Sequence, residues 1–193
     1  MPSNASASLR NNAWPWLAII AILLAATFQL HHQGRLWLCT CGTRFWSGNI
    51  CSSENSQQFL DPYSFTHVLH GMVFFILLKL LLPRVRPMGR LCLAIAIEAG
   101  WEVFENTNLV IERYRAATAA LGYTGDTVVN SLGDILSCAL GFMIARSFGW
   151  RRSAILFVVT EIVLLVWIRD GLTLNIIMLI HPIEAIRTWQ MCQ

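Results

Sequence analysis

Five apolar blocks, each close to the length that crosses a bilayer and several holding acids, constrain this chain most. They run about Trp14–Leu30, Ser64–Leu82, Met88–Thr107, Asp126–Phe148 and Ser153–Ile168. A helix rising 1.5 Å per residue needs about 20 residues for about 30 Å of hydrocarbon, and only the fifth block is short. Charged residues make up 13% of the 193-residue chain against 55% hydrophobic. Soluble domains carry about 25% charged, so this composition excludes an ordinary soluble enzyme and points to a small multi-pass membrane protein.

The basic residues orient the blocks. The stretch Leu81–Arg90 holds Arg84, Arg86 and Arg90, and the stretch Arg146–Arg152 holds Arg146, Arg151 and Arg152, with no acid in either. Basic loops stay cytoplasmic, and Arg10 before the first block agrees. The expected fold is therefore all-α: a five-span transmembrane helical bundle with its N-terminus in and its C-terminus out. Residues 1–13 read as a flexible cytoplasmic tail, 31–63 as an outer Cys-containing loop and 171–193 as an interfacial C-terminal segment. The first block lacks a cleavage site of small residues and reads as an uncleaved signal anchor. Pro182 should kink or restart the last segment, whose isoleucines and leucines make one face of an amphipathic helix on the outer surface. No internal repeat is visible.

Acids in membrane-grade sequence are costly and by default mark function. Glu98, Glu102 and Glu105 stand at i, i+4, i+7, one stripe of a helix, while Asp126, Asn130 and Asp134 drift modestly at i, i+4, i+8. His67 and His70 share a face at i, i+3, with Gly71 beside them to admit a neighbouring helix. In the expected topology all three sets reach matching depth in the outer leaflet.

Imidazoles and carboxylates together suit a divalent transition metal, Zn, Mn or Fe, with His67, His70, Glu102 and Asp126 as candidate ligands. Glu105 and Asp134 are the candidate acid/base pair, and Glu98 and Asn130 complete the polar site. Metal-free acid/base chemistry and structural hydrogen bonding between helices remain open readings of the same residues. The expected partners are the lipid bilayer and a lipid-linked substrate, with no nucleic acid. The leading function is an intramembrane enzyme; the alternatives are a metal or ion transporter and a non-catalytic assembly subunit.

The outer loop holds Cys39, Cys41 and Cys51. An outer location permits disulfides, and Cys39–Cys41 looks too tight, which favours Cys51 pairing with one of them, Cys41 and Cys51 being the candidate bridge. Asp61, Pro62 and Ser64 read as a turn and helix start.

The strings CTCG, SSENSQQFLDPYSFTHVLHG, EAGWEVFENT, YTGDTVVNSLGD and LTLNIIMLIHPIEAI resemble an uncharacterised family of bacterial inner-membrane proteins, domain of unknown function 2585. That resemblance implies an inner-membrane, multi-pass location and supplies no reaction. The order H-x-x-H-G, W-E-x-x-E, G-D-T-x-x-N-x-x-G-D is more distantly similar to VanZ-like proteins, an analogy of fold alone.

Overall fold

The computed structural model describes residues 4–118 and 122–191, which contain seven helices and no strand. They are α1 (Asn4–His32), α2 (Ser64–Leu81), α3 (Pro87–Glu105), α4 (Asn108–Ala117), α5 (Val128–Ile168), α6 (Leu172–Ile180) and α7 (Glu184–Gln190). Helix α1 takes in most of the stretch that composition marks as a tail, and residues 1–3 lie outside the described residues. Two segments, Ala13–His32 and Ser64–Leu81, are long and apolar enough to cross a membrane by length and composition. Helix α3 and both arms of α5 carry ionisable residues that lower their mean hydropathy.

Side-chain contacts fix the helix directions. His67 meets Glu102 while His70 meets Glu98, so α2 and α3 run antiparallel. Ser64 donates to Asp134, and the Phe75 ring packs edge-on to Phe142, so α2 and the first arm of α5 run parallel. Cys92 reaches the Pro15 carbonyl and Gln33 that of Val103, which makes α1 parallel to α3.

Unbroken, the 41 residues of α5 would extend about 60 Å. Yet Asp134 touches Ser64 at 2.7 Å, and Asp170, just past the helix end, lies 3.3 Å from the neighbouring Tyr63. The chain must therefore double back, and it does so at Gly149, whose φ of 75° breaks the helix at a left-handed value that glycine adopts freely. Thr127 caps the start of α5 by accepting from the Asn130 amide. The carbonyls of Leu36 and Trp37 take the next free amides, Val128 and Val129, and so tie the outer loop to the bundle.

The core at the arginine-bearing end is apolar, built from Met72, Phe75, Leu78, Leu91, Ala94, Phe142 and their neighbours. Gly71 and Gly141 make the closest seam: a Cβ on Gly71 would meet the Cys138 carbonyl oxygen, and one on Gly141 that of Val68. Large apolar side chains point outward instead, among them Leu24, Phe28, Leu80, Leu140, Ile155 and Val166.

The structure corrects three expectations. His181, Pro182 and Ile183 divide the C-terminal segment, as Pro182 leads one to expect, but its first part does not simply lie on the surface: α6 docks on α4 through Tyr114 to Asn175 (2.9 Å) and Arg113 to the Leu179 carbonyl (2.8 Å). Helix α4 itself forms within a stretch expected to be loop. Cys39 and Cys41 bridge directly, their Cα atoms 5.1 Å apart because the chain turns at Thr40 and Cys41, a spacing that a disulfide spans. The free thiols among the described residues are the buried Cys92 and Cys138.

Glu161, a lone acid in the second arm of α5, turns out to hold α6 in place. Its two carboxylate oxygens accept the Leu172 and Thr173 amides at 2.8 and 3.0 Å, doing for the start of α6 what Gly171, with no side chain, cannot. Glu161→Leu should release both bonds, each worth about 1.5–3 kcal/mol when a charge is involved. Hydrogen exchange would then rise sharply at Leu172–Ile180 and little in α2; unchanged protection of α6 would contradict this role.

Candidate functional site

The polar residues of α2, α3 and α5 converge at the bundle end that carries the outer loop. Glu98, fully buried, stands between the two imidazoles: its Oε1 lies 2.5 Å from His67 Nδ1 and 3.0 Å from His70 Nδ1. One helical turn further, Glu102 is 1% exposed and sits 3.3 Å from the same His67 nitrogen. That nitrogen is directed at Glu98, and neither Glu102 oxygen has a hydrogen-bond partner. A carboxylate buried in this way is costly unless something else satisfies it.

On the far side of His67, Nε2 lies 3.9 Å from Asp134 Oδ2, while Asp134 Oδ1 accepts from Ser64 at 2.7 Å. Two donor sets follow. His67, His70 and Glu98 each offer one atom within 4.8 Å of the others, and so do His67, Glu102 and Glu105. His67 is common to both.

Asp126 and Asn130 have other engagements. Asp126 accepts from the Asn106 amide (2.7 Å) and the Tyr123 hydroxyl (2.8 Å), and its backbone N–H donates to Asn106 Oδ1 (2.7 Å). Asn130 donates to the Gln58 carbonyl at 2.8 Å, pinning the outer loop. Asp126 borders the same cavity as the histidines, but Glu98 occupies the place between the imidazoles.

Several contributors are invisible to spacing. Asn106 lies one residue past the acidic stripe and holds Asp126. Asp61, read from sequence as part of a turn, is fully buried and accepts from the Ser56 and Tyr63 amides at 3.0 and 2.7 Å. Burial pushes its carboxyl up. Tyr123 is likewise pushed well up, first by burial and then by the Asp126 charge. The helix-start dipeptide Asp61-Pro62 signals a turn, and nothing in it signals burial.

These groups open onto a cavity of about 620 Å³ between α2, α3, α4, α6 and the second arm of α5. Its wall joins His67, His70, Glu98, Glu105 and Asp134 to apolar side chains such as Phe74, Trp101 and Phe157. A concave apolar chamber with a few convergent polar groups is the usual form of a small-molecule site. Chemically the polar end can hold a divalent cation or pass a proton between carboxyl and imidazole.

Comparison with known proteins places these residues in a wider group. A family described as "Protein of unknown function (DUF2585)" matches residues 30–192. A UPF0314 protein of Brucella anthropi is 43% identical over 176 residues, covering 90% of this chain and 89% of that protein. One from Sphingopyxis alaskensis is 42% identical, covering 91% and 94%, and one from Paracoccus denitrificans is 43% identical, covering 94% of each. No solved structure matches. The more distant VanZ-like resemblance finds no support among these matches.

Proposed function

The chain belongs to the uncharacterised family DUF2585, and we propose that its members are bacterial inner-membrane enzymes acting on a lipid or lipid-linked substrate with a divalent transition metal. In this reading α1, α2, α3 and the two arms of α5 are five spans, N-terminus in and C-terminus out. The supporting observation is an inverted distribution of polarity. His67, Glu98, Glu102 and Asp134 are buried while Leu24, Leu80, Leu140 and Val166 face outward, an arrangement suited to lipid rather than water. The arginine-bearing turns lie at the opposite end from the cavity, which supports a cavity open to the outer leaflet.

The pair of unpartnered Glu102 oxygens beside the His67 imidazole carries the metal reading. His67, His70 and Glu98 would hold the ion, with Glu102 and Glu105 completing its shell; Asp126, held by Asn106 and Tyr123, stays outside it. A bound ion polarises an oxygen of the substrate or lowers the pKa of water. Asp134, on the cavity wall with one oxygen toward His67, is placed to take or give the proton, and Glu105 is the second such group. A transporter needs a polar path to the other end, and the Met72, Phe75, Leu78 and Phe142 layer offers none.

Elemental analysis of detergent-purified protein tests this. The wild type should retain about one Zn, Mn or Fe per chain, His67→Ala should retain none, and Glu102→Gln should lose most of it. Metal-free wild type that takes up no added ion would end the metal reading.

A further inference from the structure

The cavity wall also selects for charge. Among the described residues no lysine or arginine lines it, whereas Glu98, Glu105, Asp126, Asp134 and Asp170 do. A phosphate or carboxylate head group would meet like charges there and no basic side chain to bind it. A metal at His67 would neutralise only the carboxylates around it. Elsewhere on the wall is Asp170, 6% exposed, which accepts from the Gly171 amide at 2.9 Å, the Tyr63 hydroxyl at 3.3 Å and the Asn175 side chain. Tyr114 stands by, donating to Asn175, and packs edge-on against Tyr123 at 5.7 Å between ring centroids. A buried carboxylate among aromatic rings attracts an ammonium by charge and by the ring faces together. Burial pushes Asp170 up to about 6 against the opposing hydrogen bonds, the direction of a carboxylate with no cation beside it. The wall also carries the apolar side chains of Ile97, Trp101, Phe157, Ile176 and Ile177.

We propose that the cavity takes an amphiphile whose polar end is a protonated amine, received by Asp170 among the tyrosines, with its apolar part along Trp101 and Phe157. This names the substrate class of the site and rests on the reading of the cavity as the substrate chamber. It does not rest on the metal.

Isothermal titration of the detergent-purified full chain with hexylamine, hexyl phosphate and 1-hexanol tests the assignment. Hexylamine should bind at least about tenfold more tightly than either of the others, a difference of about 1.4 kcal/mol. Asp170→Asn should lose about tenfold in hexylamine affinity with metal content unchanged. Trp101→Ala, on the apolar wall, should weaken hexylamine and 1-hexanol together. Hexyl phosphate or hexanol binding as well as hexylamine would overturn the proposal. So would hexylamine affinity unmoved by Trp101→Ala and by an Asp170→Asn protein that keeps its metal. A wild type that prefers hexylamine but holds no metal would sink the metal reading and leave this one standing.

Discussion

Gly71→Ala should lower the thermal midpoint of the purified protein by roughly 4–10 °C, and Gly141→Ala by a similar amount. The two glycines face backbone rather than side chains: Gly71 lies against Cys138 and Phe142, Gly141 against Val68. A side-chain tip can swing aside, but a carbonyl in a packed helix moves only with its helix. Overpacking of this kind costs about 1–3 kcal/mol and should fall at the upper end here; for a chain of this size each kcal/mol is worth about 2–4 °C. Gly71→Val should leave little folded protein. Gly100→Ala is the control, since nothing stands near a Cβ at that position. Unchanged midpoints in both alanine variants would mean that α2 and α5 do not approach as described.

Glu98→Ala should have the largest effect on the site. One carboxylate serves both imidazoles, and removing it leaves His67 beside the unsatisfied Glu102 with nothing between them. Deleting one partner of a buried charged pair costs about 3–5 kcal/mol. Glu98→Gln keeps the shape and one hydrogen bond, so it should lose far less stability. Metal retention should nonetheless fall in both variants, by at least the roughly 10–100-fold seen when even an outer-shell partner is removed. Calorimetry read beside metal content separates the two roles: equal stability loss in both variants with metal retained would make Glu98 purely structural.

Much of the polar cluster was legible because helical spacing is a local property. Glu98, Glu102 and Glu105 had to share a stripe if the block was helical, and His67 and His70 had to share a face. Pro182 likewise announced the break between α6 and α7. Pairing was not legible, because it depends on how helices from distant parts of the chain meet. Asp126 offers the same carboxylate as Glu98, and only the position of Asn106 and Tyr123 draws it away from the imidazoles. Helix α4 forms in a stretch whose apolar residues, Val110, Ile111 and Tyr114, find partners only once the bundle exists. The Cys39–Cys41 bridge ran against the expected pairing of Cys41 with Cys51, since a separation of two residues looks too tight until the turn at Thr40 and Cys41 sets the Cα atoms 5.1 Å apart. The reversal at Gly149 was expected from the basic connection around it.

The glycine seam and the polar groups of the cavity sit on the same two helices, a residue or two turns apart. Gly71 adjoins His70, and Gly141 lies two turns beyond Asp134. Whatever sets how far one helix slides along the other also sets the gap across which His67 views Asp134. The seam thus works like the index mark of a vernier: a substitution there too mild to melt the protein would still misread the scale, and the gap from His67 to Asp134 would register the error before stability did.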